Sequence, residues 1–344
     1  MDNNKVVSRW LFIGVGMLII QVLLGGITRL TGSGLSITEW QPILGALPPM
    51  QESAWLIAFQ KYQQIAQYKV LNADFTLSEF KFIYFWEWTH REWGRLIGVA
   101  FLFPFFYFLY KKKIGKAMIP SLIALFILGL AQGLIGWIMV HSGLNNENLY
   151  VNPVKLAIHF LSALTLICFT YWFALTLSVH EEDRMNDRGM RKFTILIIVI
   201  LFFQLMYGAF MAGLKAATVA ATWPSINGDY FPNTLFNDSW VSQPLNVHFI
   251  HRMLAYLLLV LIVIWYMKIS KMKGSTLFQT SKLVPLLLTL LQVLLGICTL
   301  LSSTHSTRNG FGIFEYVAQA HQLIAMCLLM SLIGVLYLFG GKKA

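Results

Sequence analysis

Eight long apolar stretches constrain this chain more than any other feature. Each is long enough to cross about 30 Å of hydrocarbon as a helix, and they lie at roughly 9–30, 87–110, 117–140, 154–178, 191–214, 247–268, 282–303 and 316–339. Hydrophobic residues make up 57% of the 344 residues and charged residues only 12%, whereas soluble domains average about 25% charged residues. The sequence therefore predicts an all-α integral membrane protein with eight transmembrane helices.

The distribution of lysine and arginine predicts the orientation of these helices. Sixteen of the 26 basic residues fall in short loops and tails on one side of the predicted membrane, and the other ten are spread over longer loops on the opposite side. Because short cytoplasmic loops are enriched in basic residues, we expect both termini in the cytoplasm. The net charge of +11 then reflects topology and attraction to anionic membrane lipid, and a nucleic-acid role has no support.

A helix–loop–helix unit recurs four times along the chain. Each odd-numbered span carries a glutamine followed four residues later by a glycine, at Gln21, Gln132, Gln204 and Gln292. Each even-numbered span begins near a histidine, at His90, His159, His251 and His321. We interpret the Gln-x-x-x-Gly motif as a helix-packing feature, because small residues let helices approach closely and glutamine can hydrogen-bond between them.

Two such units form each half of the chain. Four spans per half put the two halves in the same orientation, related by an axis along the membrane normal. We therefore predict two tandem, pseudo-symmetric four-helix bundles, residues 1–185 and residues 186–344.

The first loop on the outer side, roughly 31–86, is the largest segment outside the predicted spans. Four of its residues fall on one helical face and suggest an amphipathic helix lying in the membrane interface: Trp55, Phe59, Tyr62 and Ala66. The segment Thr76-Leu-Ser-Glu79 resembles a capping box that opens a further helix. We expect this loop to cover a site in the membrane.

Seven of the eight histidines fall at the outer ends of predicted spans, and only His180 lies on the other side. A single membrane histidine commonly forms a hydrogen bond between helices, but four at equivalent repeat positions suit iron ligation. Neighbouring helices of a bundle can present two imidazoles to opposite faces of one macrocycle. Paired within halves, His90 faces His159 and His251 faces His321.

Zinc is the competing metal for these histidines. A zinc centre needs three or four ligands around one tetrahedral ion, and each half offers two main histidines with His141 or His305 as extra ones. The three cysteines lie inside predicted spans and show neither a Cys-x-x-Cys spacing nor a disulfide framework: Cys168, Cys298 and Cys327.

Glu87 distinguishes the first half from the second. It precedes His90 by three residues, so both lie on one helical face, and the corresponding positions before the other histidines hold Leu156, His248 and Ala318. Glu87 is either an N-terminal helix residue favoured by the helix dipole or an acid or base at a reactive edge.

An arginine directly follows a histidine in each half, as Arg91 and Arg252. A guanidinium pairs well with carboxylates, so these two side chains could contact the propionates or the rim of a haem. The alternative is that they extend toward lipid headgroups.

Several of these segments are similar to one family of membrane enzymes, haem A synthase. They are GGITRLTGSGLSITEWQPILGALPP (25–49), EWTHREWGRLIG (87–98), KLAIHF around His159, NVHFIHR (246–252) and QAHQ around His321. The resemblance covers nearly the whole chain and implies an eight-helix enzyme with tandem four-helix halves. It also implies a reaction, the oxidation of a ring methyl of haem O to a formyl group, which gives haem A for terminal oxidases.

The same resemblance implies the site residues. The iron of the substrate haem O would be held by His90 and His159, and the iron of a haem B cofactor by His251 and His321. Glu87 matches the family's catalytic glutamate. His248 does not match a ligand position, because the His-Arg pair selects His251. The first outer loop has no cysteine, so the chain resembles the cysteine-free branch of the family.

The family further implies a location and partners. We expect a multi-pass protein of the cell's inner (plasma) membrane with its haem sites toward the outer side, a haem O synthase that supplies the substrate, and an electron-transfer partner; a homo-oligomer is left open. A dihaem b-type electron-transfer protein is the alternative function, since two bis-histidine sites alone would fit it. A transporter built on parallel repeats is a third class.

Overall fold

The described part of the chain, which in this computed structural model comprises residues 3–40, 44–308 and 310–341, contains twelve α-helices joined by loops and short 3-10 turns. Residues 41–43, within the predicted 25–49 segment, lie outside that part. The helices are α1 Asn3–Leu30, α2 Glu52–Tyr62, α3 Ala66–Leu71, α4 Leu77–Tyr110, α5 Ile119–His141, α6 Pro153–Ser178, α7 Arg188–Gly213, α8 Ala216–Val219, α9 Pro244–Ile269, α10 Thr276–Ser281, α11 Val284–Ser302 and α12 Ile313–Leu338.

Eight helices within the described ranges are long and apolar enough to cross a membrane, and they confirm the eight predicted spans. They are α1, α4, α5, α6, α7, α9, α11 together with α10, and α12. Large apolar side chains such as Ile13, Phe103 and Ile127 are exposed on their outer faces. Because a water-exposed surface of this kind would be unfavourable, these faces contact lipid, and the chain is a multi-pass membrane protein.

Helix packing follows the order of the sequence units. In the first half α1 packs against α4 and α6, and α5 packs against α6; in the second half α7 packs against α9 and α12, and α11 packs against α12. Between the halves α6 contacts α7, and α1 contacts α12. The main core lies among these central helices and includes Val15, Leu164, Ile197 and Leu329. This packing is compatible with two tandem four-helix bundles.

Helix α4 begins at Leu77, well before the span predicted from hydropathy. The predicted capping box is confirmed: the Thr76 hydroxyl accepts a hydrogen bond from the Glu79 N–H at 3.4 Å, and the Glu79 carboxylate accepts one from the Thr76 N–H at 2.7 Å. Such reciprocal bonds satisfy donors that a helix start otherwise leaves unpaired. Residues 77–86 of this helix therefore precede the predicted membrane span, which begins at residue 87.

The predicted interfacial helix is wrong in its extent and its surroundings. Helix α2 ends at Tyr62, and Ala66 opens the separate helix α3. The aromatic face packs on the extension of α4, with ring centroids of Phe59 and Phe80 5.0 Å apart and those of Tyr62 and Phe80 5.4 Å apart. Aromatic pairs of this kind stabilise a folded cap made by α2 and the first turns of α4. Burial in this cap raises the pKa of Tyr62 to about 12.

The described parts of four connections, residues 31–40 with 44–76, 142–152, 214–243, and 303–308 with 310–312, lie together at one end of the bundle, which we call the long-loop end. The main-chain N–H of Ala66, for example, donates to the carbonyl of Asn145 at 3.0 Å. The four histidines of the repeats all lie toward this end of their helices.

Candidate functional site

His90 lies on α4 against α1, where two residues of the repeated motif contact it. The side-chain Nε2 of Gln21 donates to the main-chain carbonyl of His90 at 3.1 Å and lies 3.4 Å from its ring Nε2. A Cβ at Gly25 would lie 3.1 Å from Cε1 of the same ring. A side chain at this position would therefore press on the imidazole, whereas glycine lets the ring lie against α1 without such a shift.

The same arrangement occurs at the other three histidines. The glutamine amide nitrogen lies 3.1 Å from Nδ1 of His159, 3.4 Å from Nε2 of His251 and 3.3 Å from Nε2 of His321, and the glutamines concerned are Gln132, Gln204 and Gln292. A Cβ at the motif glycines Gly136, Gly208 and Gly296 would lie 2.8, 3.4 and 3.0 Å from Cε1 of these rings. The Gln-x-x-x-Gly motif thus packs helices, as predicted, and it does so around the histidine of the partner helix.

The four imidazoles form two pairs, one in each half. His90 and His159 lie close enough to interact electrostatically, and so do His251 and His321. Nδ1 of His90, His251 and His321 is buried without a hydrogen-bond partner. Buried polar atoms are normally paired, so unpaired ring nitrogens on facing helices fit a group that accepts imidazole ligands. The residues of each half therefore fit a haem iron held by two histidines.

The zinc alternative gains no support from the structure. The described residues contain no group of three or more histidine, cysteine, aspartate or glutamate side chains that could hold a metal ion. His141 and His305, the extra ligands considered for zinc, are exposed.

Glu87 is one helical turn from His90 and is only 3% exposed. One carboxylate oxygen, Oε2, accepts hydrogen bonds from the Ser36 hydroxyl at 2.8 Å and the Ile37 N–H at 2.9 Å. The other oxygen pairs with the Arg91 guanidinium at 2.6 Å. Charge-assisted bonds of this kind are short and directional, so the carboxylate is fixed beside the first histidine pair.

The second half has the same arrangement with a neutral acceptor. His248 occupies the position of Glu87, is 2% exposed, and its Nε2 accepts a hydrogen bond from Nε of Arg252 at 3.2 Å. Arg252 also donates to the carbonyls of Thr222, Pro224 and Ser225 at 2.5–3.1 Å. The position equivalent to Glu87 in the second half therefore holds an imidazole and not a carboxylate.

The two arginines have equivalent contacts. Arg91 donates to the main-chain carbonyls of Ile37 and Glu39 at 3.0 and 3.1 Å, as Arg252 does to the loop at 222–225. Each guanidinium thus holds a loop of the long-loop end against the helix that carries the histidine. Contact with a haem rim remains a prediction for both residues.

Polar side chains of α12 and α1 join the two halves close to the histidines. Gln319 and Gln322, on either side of His321, donate to the carbonyls of Leu23 and Val22 at 3.0 and 3.1 Å. Closer to the long-loop end, the Arg29 guanidinium donates to the carbonyl of Ala212 at the end of α7. A cation is favourable at a helix C-terminus, so this contact stabilises the interface between the halves.

An exposed ion pair also links the loops of the two halves. The Arg308 guanidinium contacts the Asp74 carboxylate at 2.8 and 3.1 Å. This pairing holds the pKa of Asp74 below its usual value and raises the pKa of Arg308.

Comparison with known proteins gives the family. The sequence model of the cytochrome oxidase assembly protein family matches residues 8–333. A heme A synthase of Parvibaculum lavamentivorans is 44% identical over 77% of this chain and 78% of its own length. The chain belongs to the haem A synthase family. A heme A synthase of Flavobacterium psychrophilum, 36% identical, aligns over 98% of this chain and 99% of its own length. The similarity of this chain to the haem A synthase family therefore extends over nearly its whole length.

Two features of this haem A synthase family member were not predicted from its sequence. The glutamines and glycines recur at fixed spacing, but only the fold shows that they contact the histidines. The loop residues Ser36 and Ile37 lie far from Glu87 in sequence, and no spacing pointed to their contact with it.

Proposed function

We propose that this chain is a haem A synthase that oxidises a ring methyl of haem O to a formyl group, an oxidoreductase acting on a C–H group. Membership of the family supports the general activity. The observation that carries the proposal is the difference between the halves at one position. Three residues before the first histidine of each pair, the first half has the buried carboxylate of Glu87 and the second half has His248. The buried Glu315 of the second half lies six residues before His321 and accepts hydrogen bonds from the N–H groups of Thr307 and Gly312.

The two halves then have different roles. The first half, residues 1–185, binds haem O as substrate through His90 and His159. The second half, residues 186–344, binds haem B through His251 and His321, and this cofactor supplies electron transfer between the substrate and an external partner. Arg91 and Arg252 hold the covering loops and would contact the haem rims.

Glu87 carries the proton chemistry of the reaction in this proposal. Removal of two electrons and one proton from the methyl group leaves an electron-poor carbon, to which water adds. Glu87 accepts a proton from this water or stabilises the charge that develops. A second two-electron oxidation, with loss of protons and addition of a second water, gives the hydrated aldehyde, which loses one water to form the formyl group. Arg91, Ser36 and Ile37 fix the orientation of the carboxylate throughout.

The location follows from the charge pattern and the family. We place the chain in the inner (plasma) membrane with both termini in the cytoplasm and the histidine pairs toward the outer side, since basic residues concentrate in the short loops and tails. A haem O synthase supplies the substrate, and a membrane electron carrier receives the electrons.

Pigment chromatography tests the proposed function. The chain is expressed with a source of haem O, purified in detergent, and its haems are extracted and separated. We expect haem A together with haem B and residual haem O. Haem B alone would contradict the proposal and favour the dihaem electron-transfer protein.

A further inference from the structure

Each repeated glutamine contacts the histidine of its partner helix, but the contacts differ between the halves. In the first half the amide nitrogens of Gln21 and Gln132 donate to the main-chain carbonyls of His90 and His159, at 3.1 and 3.0 Å. A carbonyl accepts only from the nitrogen of the amide. These two glutamines are therefore held with their N–H groups toward the ring.

Gln132 is held more firmly than Gln21. Its Oε1 accepts a hydrogen bond from the Ser162 hydroxyl at 2.5 Å, and its Nε2 lies 3.1 Å from Nδ1 of His159. Turning this amide over would break the bonds to both Ser162 and the His159 carbonyl. The atom that faces the His159 ring is thus a donor.

In the second half the glutamines contact only the rings. Nε2 of Gln204 lies 3.4 Å from His251, and Nε2 of Gln292 lies 3.3 Å from His321. Oε1 of both glutamines and Nδ1 of both histidines are buried without hydrogen-bond partners. Each amide therefore has an unused acceptor beside ring Nε2, and the other ring nitrogen, Nδ1, is left free to bind iron.

Iron ligation makes this difference important. A neutral histidine that binds a metal through one ring nitrogen carries a proton on the other, and that N–H needs an acceptor. Rotation of the Gln204 or Gln292 amide by half a turn brings Oε1 toward the ring and breaks no other hydrogen bond. An acceptor there makes the imidazole a stronger ligand. A donor, as at Gln132, cannot accept a hydrogen bond from the same ring N–H and leaves it unpaired.

We propose that the four glutamines are positioning residues that set how firmly each half holds its haem. Gln204 and Gln292 accept a hydrogen bond from the ligand histidines, strengthen them as iron ligands and lower the reduction potential of the haem in the second half. Gln132 faces His159 with a donor and weakens it as a ligand. This rests on the proposed function, in which the haem of the first half enters as substrate and leaves as product, whereas that of the second half stays.

The reduction potential of haem B in the purified holoprotein tests the role of Gln292. Gln292→Leu removes the acceptor, so the potential rises; Gln292→Glu offers a stronger acceptor, so the potential falls. Gln319→Leu is the matched control, because Gln319 is on the same helix as His321 but donates to the Leu23 carbonyl, and it leaves the potential unchanged. Shifts of the same sign for both Gln292 variants, or none, would overturn the proposal.

The rate of haem loss compares the two halves. Purified protein is mixed with excess apomyoglobin, and the departure of each haem is followed by its spectrum. We expect Gln292→Leu to release haem B several-fold faster and Gln132→Leu to release haem O several-fold more slowly. Changes in the same direction in both halves would contradict the proposal. Gln204→Leu provides a second test of the second half if Gln292→Leu fails to fold.

These readouts separate the inference from the proposed function. Opposite potential shifts in a protein that makes no haem A would support the role of Gln292 and refute the synthase activity. If the protein makes haem A but its haem B has the same reduction potential in both Gln292 variants as in the wild type, only the positioning role is refuted.

Discussion

Single residues explain why two similar halves can differ in chemistry. Glu87 and His248 are equivalent, and each accepts a hydrogen bond from the arginine four residues later, Arg91 or Arg252. The sequence alone predicted that Glu87 has no carboxylate counterpart. It could not predict the shared arginine contact, because that contact includes loop carbonyls distant in sequence. Glu87 therefore combines a structural role, which His248 also performs, with a chemical one.

Glu87→His separates these two roles. Histidine at this position can accept the Arg91 hydrogen bond, as His248 does for Arg252, so the loop at 36–39 stays in place and both haems bind. The carboxylate is lost, so haem A formation falls by about 100-fold or more, in line with loss of a general acid or base. Haem extraction with chromatography measures both results. Wild-type haem A levels in this variant would contradict a chemical role for the carboxylate.

At the scale of helices and loops, local sequence signals predicted where helices and membrane spans lie. They did not predict which surfaces pack together, because that depends on contacts between residues distant in sequence. The capping box at Thr76 marked the start of α4, and hydropathy marked all eight spans. The aromatic face of the first loop was assigned to the membrane interface because the sequence does not show what covers it. The structure covers it with Phe80 and its neighbours on α4. The motif glycines were likewise predicted to pack helices, but only the fold shows that they pack against an imidazole.

Two glycines on α5, one turn apart, test that role. A Cβ at Gly136 would lie 2.8 Å from Cε1 of His159, whereas one at Gly133 would meet nothing within 4 Å. We expect Gly136→Ala to displace the His159 ring and to lower the amount of haem O bound per protein, while haem B is unchanged. Gly133→Ala is the control and keeps wild-type occupancy. Equal haem O content in the two variants would refute the role of Gly136.

At the scale of the whole molecule, the repeat predicted the order of the helices but not how the halves join. Sequence spacing can show that α1 and α7 are equivalent. It carries no information that Gln322 donates to α1 or that Arg29 reaches the end of α7, because these contacts cross between units. The interface is nevertheless built close to the histidines, since Gln319 and Gln322 flank His321.

Arg29→Met tests the contribution of the interface. The substitution leaves the Ala212 carbonyl without its donor at a partly buried position, and an unsatisfied group of this kind costs about 1–3 kcal/mol. Arg188→Met, at the exposed start of α7, is expected to change stability by no more than about 0.5 kcal/mol. Thermal unfolding in detergent compares the two variants. An equal effect of both would show that Arg29 does not stabilise the contact.

The Asp74–Arg308 pair gives the loops of the two halves an acid-sensitive link. The pKa of Asp74 is lower in the folded protein than in the unfolded chain, where it is about 3.9. Its contribution to stability is therefore present at neutral pH and lost as the pH falls through the folded value. The difference in unfolding temperature between wild type and Asp74→Asn should be constant down to about pH 4 and vanish in stronger acid. A difference that persists there would contradict this origin.

Haem extraction from Glu87→Gln, with Glu92→Gln as its control, tests the central claim most directly. Glu92 lies on the same helix and pairs with Arg95, away from the Ser36 and Ile37 contacts of Glu87. With a haem O source present, Glu87→Gln should retain haem B and accumulate haem O, with haem A reduced about 100-fold or more, whereas Glu92→Gln should make haem A as the wild type does. Full haem A production by Glu87→Gln would contradict the account.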